Sequence, residues 1–353
     1  MEYNKRLIVD FDDTLAHTKN RDWENAEPNW PLINKLNDLS NSGWTVDIFT
    51  ARGSISCSSR EEAAEKYSVQ IRDWLANNNV KYNTLSFNKP LGAYYIDDKG
   101  ISPEDFITTD IRQLEGGLSG SDIYTDGKLV HKTDTNALAV QQWFSDVDSW
   151  LITPKIERVV GDTITMEYID HDEDFFINNF YVSLALIQES LDSMKRIPNS
   201  SPFIFSSYCD RIEDHAHLAQ VHLYVEVVEL LRTIWNLNSS FSHGDFGIKN
   251  MLFTEEHNEL VLIDPIPNMF GCTELDVAKF LASLRVNYPR MDRWDMAFKT
   301  LATYNNIELD LLSVLTAAEL IRIHKYHPEK EFIMEQVKYV FKQISAEIYY
   351  GVS

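Results

Sequence analysis

Cysteine is scarce in this chain. Cys57, Cys209 and Cys272 are the only 3 in 353 residues, too few and too scattered for a disulfide framework or a zinc site, so they read as ordinary thiols. Basic charge is in deficit too: 32 Lys and Arg stand against 54 Asp and Glu, a formal net charge of −22. Affinity for a phosphate backbone comes mainly from clustered Lys and Arg, which excludes nucleic acid as a general partner. No run of about 18 apolar residues occurs, and the first residues lack the basic-then-apolar order of a signal peptide. The expectation is a cytoplasmic protein with no membrane partner. Nothing in the sequence indicates an oligomeric state.

What is present is an ordinary globular composition, 44% hydrophobic, in a chain longer than one domain usually is. Two domains are expected, residues 1–113 and 114–353. The first opens on apolar Leu7-Ile8-Val9 and runs into Asp10-Phe11-Asp12-Asp13-Thr14, a buried strand ending in carboxylates. Helical spacing follows near Pro31 to Leu39. A second apolar strand, Trp44 to Phe49, leads to Thr50-Ala51-Arg52-Gly53. Arg60 to Asn77 is a helix by its spacing. Thr84 to Phe87, Lys89-Pro90 and a strand Ala93 to Ile96 come next, the last ending in Asp97-Asp98-Lys99. Strand alternating with helix implies an α/β parallel sheet.

Ligands of an open parallel sheet bind beyond the carboxyl ends of its strands, where Asp10, Asp12, Thr50, Asp97 and Asp98 fall, with Lys89 nearby. So dense a cluster of acids calls for a counter-charge, which Mg²⁺ with a phosphate ligand supplies. The series DxDxT, strand-end Thr, Lys and Asp-Asp resembles the haloacid dehalogenase (HAD) superfamily of phosphatases, over about residues 1–113. The resemblance implies an N-terminal Rossmannoid sheet with Asp10 as nucleophile and Asp12 as general acid and base. It implies further that Thr50 and Lys89 bind the phosphoryl group, and that Asp10, Asp12, Asp97 and Asp98 hold Mg²⁺. Asp12 and Thr50 lie too close in sequence for a large cap. The wording around Thr50 and Lys89 is similar to small capless phosphatases associated with capsular-polysaccharide biosynthesis.

The second segment begins at a glycine-rich stretch, Leu114 to Ser121, the densest in a chain with only 13 glycines. Either it is a linker, or Gly117, Ser119 and Gly120 form a turn whose N–H groups approach phosphate, with Lys132 on the next strand as a point charge. Asn136 to Trp150 reads as a helix. Thr163 to Ile169 alternates before Asp170-His171-Asp172, and is either an ordinary edge strand or a segment that resembles the one joining the two lobes of a kinase, where the nucleotide base sits. Helical patterns cover Tyr181 to Met194, His215 to Trp235, Leu311 to His324 and Lys330 to Tyr350. His215 and His217 project from different sides of a helix, so with His222 they read as structural or solvated rather than as zinc ligands.

Between these helices lies His243-Gly244-Asp245-Phe246-Gly247-Ile248-Lys249-Asn250, followed by the strand-like Leu260 to Asp264. An Asp that accepts a hydroxyl proton, with an Asn and a second Asp for the metal, is a phosphoryl-transfer layout. With Lys132 and the glycine stretch, it resembles the aminoglycoside phosphotransferase and choline kinase group of protein-kinase-like enzymes. The resemblance implies a bilobal α+β domain, its N-lobe about 114–170 and its helical C-lobe about 171–353. It makes Asp245 the catalytic base and Asn250 and Asp264 ligands of Mg²⁺. ATP, the phosphoryl donor, would meet Gly117, Ser119, Gly120, Lys132 and Glu167. His243 would hold the loop in shape, and Asp276 would either stabilise a helix dipole or anchor the loop.

One departure stands out. Kinases pair the strand lysine with a helix Glu, but no Glu occurs between Lys132 and Glu157. Asp134, Gln141 and Gln142 are the nearby stand-ins; otherwise nucleotide affinity is reduced. The expectation is a bifunctional enzyme, a phosphomonoester hydrolase joined to a small-molecule kinase, acting on sugar or polyol phosphates in surface-polysaccharide synthesis. The alternative is a phosphatase whose kinase-like part binds a nucleotide or sugar without transferring phosphate.

Overall fold

The computed structural model describes residues 5–18, 22–23, 25–92, 95, 100–114, 121–198, 205–219, 223–233, 237, 239–255, 258–267, 271–327 and 331–341. It divides into two compact units, Met1–Arg112 and Gln113–Ser353.

In the first unit the strands are β1 (Arg6–Asp10), β2 (Ala16–His17), β3 (Glu27–Pro28), β4 (Thr45–Phe49) and β5 (Thr84–Ser86). The helices are α1 (Trp30–Asn41), α2 (Arg60–Asn77) and α3 (Pro103–Thr108). β1, β4 and β5 form a parallel sheet in that order, with Asp10 opposite Phe49 and Phe49 opposite Ser86. Parallel pairing in this register sets the strand ends level, so residues just past them share one edge. The crossover helices start on sequence signals. Asn29 caps α1 ahead of Pro31, and Ser59 caps α2 while Glu62 bonds back to the Ser58 N–H at 2.7 Å. α1 buries Leu32, Ile33, Leu36 and Leu39, and α2 buries Ala63, Ile71 and Leu75. The strand expected at Ala93 to Ile96 lies outside the described residues apart from Tyr95.

The boundary between the two units falls within β6 (Arg112–Gln113), and the second goes on with β7 (Ile123–Thr125), β8 (Leu129–Thr133), α4 (Ala137–Val147), β9 (Ile156–Val160) and β10 (Thr163–Glu167). These strands make one sheet in the order β6-β7-β8-β10-β9. β8 is antiparallel to both neighbours, so Lys132 sits opposite Ile123 on one side and Ile164 on the other. The remainder is mainly helical: α5 (Phe175–Asn178), α6 (Phe180–Arg196), α7 (Phe205–Ala219), α8 (Leu223–Thr233), the hairpin β11 (Met251–Thr254) and β12 (Glu259–Leu262), α9 (Thr273–Asn287), α10 (Trp294–Asn305), α11 (Leu309–Tyr326) and α12 (Glu331–Phe341). α9 and α11 are buried nearly all round and pack together, which explains their weak amphipathic pattern.

Two differences from the sequence expectation are seen. Within the span expected as a helix from His215 to Trp235, the described residues fall in α7 and α8, and α7 begins earlier, at Phe205. α10 and the short α3, which the sequence reading passed over, are also present. The side chains of His215, His217 and His222 lie outside the described residues. No helix among the described residues is long and apolar enough to cross a membrane.

Candidate functional sites

The first unit assembles its candidate residues at the carboxyl edge of the parallel sheet. Asp10 ends β1, Thr50 follows β4, and Lys89 follows β5. Lys89 Nζ lies 2.5 Å from Asp10 Oδ2, and the Phe11 N–H donates to Asp10 Oδ1 at 2.9 Å. Burial pushes the Asp10 carboxyl above its usual range, with the Lys89 ammonium opposing the rise. Thr50 Oγ1 donates to Asp12 Oδ2 at 2.7 Å.

The sequence assigned Arg52 no role, yet it grips Asp12. Its Nε donates to Asp12 Oδ1 at 3.1 Å and its terminal nitrogen contacts the same oxygen. The guanidinium lies 4.1 Å from the Trp23 ring and 5.1 Å from the Phe11 ring, a stacked and largely buried cation. The turn that delivers it needs Gly53, whose φ of +83° and closeness to Ala63 leave no space for a Cβ. Arg60 fixes the backbone at Lys89 by donating to the Lys89 carbonyl at 2.9 Å. Asp97 and Asp98 lie outside the described residues, so the carboxylates in view for a cation here are Asp10 and Asp12.

In the second unit the loop from His243 to Asn250 is held by one face of α9. Asp276, Lys279 and Ser283 stand one or two turns apart and therefore point the same way. Asp276 accepts from the His243 N–H at 2.9 Å, the Gly244 N–H at 3.1 Å and Ser242 Oγ at 3.3 Å. Asp276 thus anchors the loop, one of the two readings its place in the sequence allowed. Lys279 Nζ is 2.8 Å from Asp245 Oδ1, and Ser283 Oγ accepts from the Ile248 N–H at 2.9 Å. Gly244 takes a φ of +79° with its missing Cβ directed at the Ile266 carbonyl, so no larger residue fits. The His243 ring is buried, meets Trp143 and Phe246 edge-on, and shares a 3.0 Å hydrogen bond with the Ile263 carbonyl. Burial lowers its pKa to about 4, so it is a neutral support for the loop.

Asp245 itself is engaged at both oxygens: Lys279 at Oδ1, and Asn250 Nδ2 at Oδ2 at 3.0 Å. Burial raises the Asp245 carboxyl, but the Lys279 ammonium, with smaller help from His243 and Arg322, outweighs this and leaves it below the usual range. Asn250 Nδ2 also donates to the Asp245 carbonyl at 2.8 Å. That commits the amide nitrogen and turns the amide oxygen elsewhere. Across the β11–β12 hairpin, Met251 pairs with Leu262 and the Ile263 N–H donates to the Asn250 carbonyl at 3.1 Å. The hairpin therefore delivers Asn250 and Asp264 to one end. Asp264 adopts φ +62°, a left-handed conformation that strains a residue with a Cβ.

Lys132 is buried on β8 and contacts Asp264 directly, with Asp134 Oδ2 at 3.3 Å on its other side. Burial lowers the Lys132 pKa and Asp134 opposes that. Asp134, two residues along the chain, is thus an acid beside Lys132. Glu167 is exposed at the end of β10, opposite Leu129, and its N–H donates to the Lys155 carbonyl at 2.9 Å. Gly117, Ser119 and Gly120 lie outside the described residues.

Among the described residues no group of three or more His, Cys, Asp and Glu is placed to hold a metal. An Asn oxygen and one strained carboxylate suit a hard cation that takes its other ligands from a nucleotide, which is how Mg²⁺ behaves. A separate buried network lies deeper: Arg322 NH1 donates to both Glu319 oxygens at 2.8 Å, and Tyr208 donates to Glu319 at 2.9 Å.

No family model and no curated protein matches the chain. Among solved structures it is similar to a choline/ethanolamine kinase family protein from Mesorhizobium loti, 12% identical, covering 69% of this chain and 90% of that one, with a TM-score of 0.51. The chain is therefore mixed α/β, with a protein-kinase-like fold of the choline kinase kind over most of its length. A choline kinase from Streptococcus pneumoniae is 11% identical over 66% of this chain and 92% of that one, TM-score 0.47. A target protein from Vibrio cholerae is 29% identical over 30% of this chain and 89% of that one, TM-score 0.27.

Proposed function

We propose that the second unit is an ATP-dependent kinase of a small hydroxylated metabolite, a sugar or polyol or their phosphates. The observation that carries this reading is the pairing of two acid centres on a kinase-like fold: Asp245 held by Lys279 and Asn250, and Asp264 held by Lys132. The acceptor hydroxyl hydrogen-bonds to Asp245, which takes its proton as the oxygen attacks the γ-phosphorus. Lys132 places the α- and β-phosphates, and its second partner Asp134 does the orienting that a helix Glu does elsewhere. Asn250 and Asp264 would hold Mg²⁺, which when bound spreads the charge of the β- and γ-phosphates. The Asp134 contact favours this reading over a kinase-like unit that only binds nucleotide. Incubating the protein with Mg-ATP and a panel of sugars, polyols and amino alcohols tests it. Some acceptor should gain phosphate, and Asp245→Asn should lower that rate about 10²–10⁴-fold, as loss of a general base does. A panel with no phosphorylated product sinks the reading.

The first unit supports a second activity, hydrolysis of a phosphomonoester by way of an aspartyl-phosphate on Asp10. Its support is the Lys89–Asp10 contact and the Thr50–Asp12 hydrogen bond at the carboxyl edge of a parallel sheet. Asp10 would attack phosphorus while Asp12 protonates the leaving oxygen and then activates water. Thr50 and Lys89 would hold the phosphoryl oxygens. Asp10, Asp12, Asp97 and Asp98 would hold Mg²⁺. A bifunctional enzyme of this kind, in the cytoplasm, could move phosphate between positions of one metabolite during surface-polysaccharide synthesis.

A further inference from the structure

We propose that Lys279 is a further catalytic residue of the second unit, an ammonium that passes from the Asp245 carboxylate to the oxygens of the transferring phosphoryl group. This rests on the kinase reading of Asp245. Lys279 comes from α9, not from the loop, and its Nζ stands 2.8 Å from Asp245 Oδ1. Side-chain exposures of 17% for Lys279 and 31% for Asp245 leave the pair partly open to solvent, from which an acceptor can reach it.

An arriving hydroxyl is a third donor to that carboxylate, whose two oxygens accept at about four positions, and it competes most directly with the donor held least firmly. Asn250 is tied twice, to the carboxylate at 3.0 Å and to the Asp245 carbonyl at 2.8 Å, so it stays. Lys279 is the donor that can leave. Among the described residues its one ionic partner is Asp245. Its four-carbon stem is flexible and runs beside Gly247, where even a Cβ would stand 3.8 Å from Lys279 Cε.

The destination follows from the reaction's own geometry. A hydroxyl bonded to Asp245 and poised for attack sits about 3–3.5 Å from phosphorus. The phosphoryl oxygens are then neighbours of the same carboxylate and within reach of the ammonium. The new bond joins the acceptor oxygen to the γ-phosphorus, and the bond from that phosphorus to the bridging oxygen of ATP breaks. ADP leaves with the electron pair, the acceptor proton goes to Asp245 Oδ1, and Lys279 remains an ammonium throughout.

The test uses the full chain with Mg-ATP as probe, water as acceptor, ADP formation as one readout and calorimetric ADP binding as another. Lys279→Ala should lower kcat about 10²–10³-fold, the scale of losing one preorganised donor to the transition state. KM for Mg-ATP and ADP affinity should stay within about threefold, because the contact is made during transfer. Lys279→Arg should keep most of the rate, and added ethylamine should restore part of the Lys279→Ala loss. Lys279→Gln, which preserves the stem, repeats the comparison if Lys279→Ala does not fold. A kcat within about threefold of wild type, or a loss of ADP binding in parallel with rate, overturns the role of Lys279. If wild type forms ADP in a manner abolished by Asp245→Asn yet indifferent to Lys279→Ala, this inference alone fails. Absence of wild-type ADP formation with water and with the whole acceptor panel removes the kinase reading and the inference together.

Discussion

At the scale of single residues, the buried carboxyl of Asp276 ties the loop from His243 to Asn250 to α9 through two backbone N–H groups and a hydroxyl. Burial nevertheless pushes its pKa up to about 7, against the lowering effect of those hydrogen bonds. A carboxyl whose folded pKa is raised stabilises the fold most below its unfolded value and loses that contribution as pH climbs through the folded one. The unfolding free energy of Asp276→Asn relative to wild type should therefore rise as pH goes from 3.8 to about 7 and level off above. Denaturant titrations of both proteins across that range check it, and a flat difference contradicts it. His243 runs the other way: its pKa falls to about 4, so its contribution is intact above the ordinary 6.5 and is lost on acidification through the folded value. At Gly244 the constraint is steric. Gly244→Ala should destabilise the fold by roughly 1–3 kcal/mol, the cost of a strained backbone, measured by the shift in denaturation midpoint.

At the scale of elements, α9 organises the second site, and its contribution is divisible. Ser283→Ala leaves the buried Ile248 N–H without its acceptor, a loss of about 1–3 kcal/mol. Hydrogen exchange of the Ile248 amide should quicken in that variant, while unchanged exchange would deny the contact its role. Much of this architecture is legible in the sequence, because the signals are local. The helix at Arg60 to Asn77 shows in its spacing and its Ser59 cap, and the strands ending at Asp10 and Phe49 show in their apolar runs. Asp245, Asn250 and Asp264 stand out by their spacing, and the hairpin that gathers Asn250 and Asp264 is short enough to read. What escapes is long-range or fully buried. The periodicity of Lys279 and Ser283 with Asp276 is present, but no local rule says which partner that face meets. Arg52 lies two residues past Thr50, and only the fold brings Trp23 and Asp12 around it. α10 and the start of α7 carry helical spacing of their own, which the sequence reading passed over.

At the scale of the whole molecule, each unit has its own sheet, its own core and its own cluster of acids with a lysine among them. Two activities with separable residues are the expected consequence. Replacing Asp10 by Asn should abolish phosphate release from a phosphomonoester while leaving ADP formation intact, and Asp245→Asn should do the reverse. The most direct measurement follows both products at once: phosphate release and ADP formation for wild type, Asp10→Asn and Asp245→Asn over one panel of sugar and polyol phosphates with Mg-ATP. The account predicts two activities in wild type and the loss of a different one in each variant. It is contradicted if ADP formation survives Asp245→Asn undiminished.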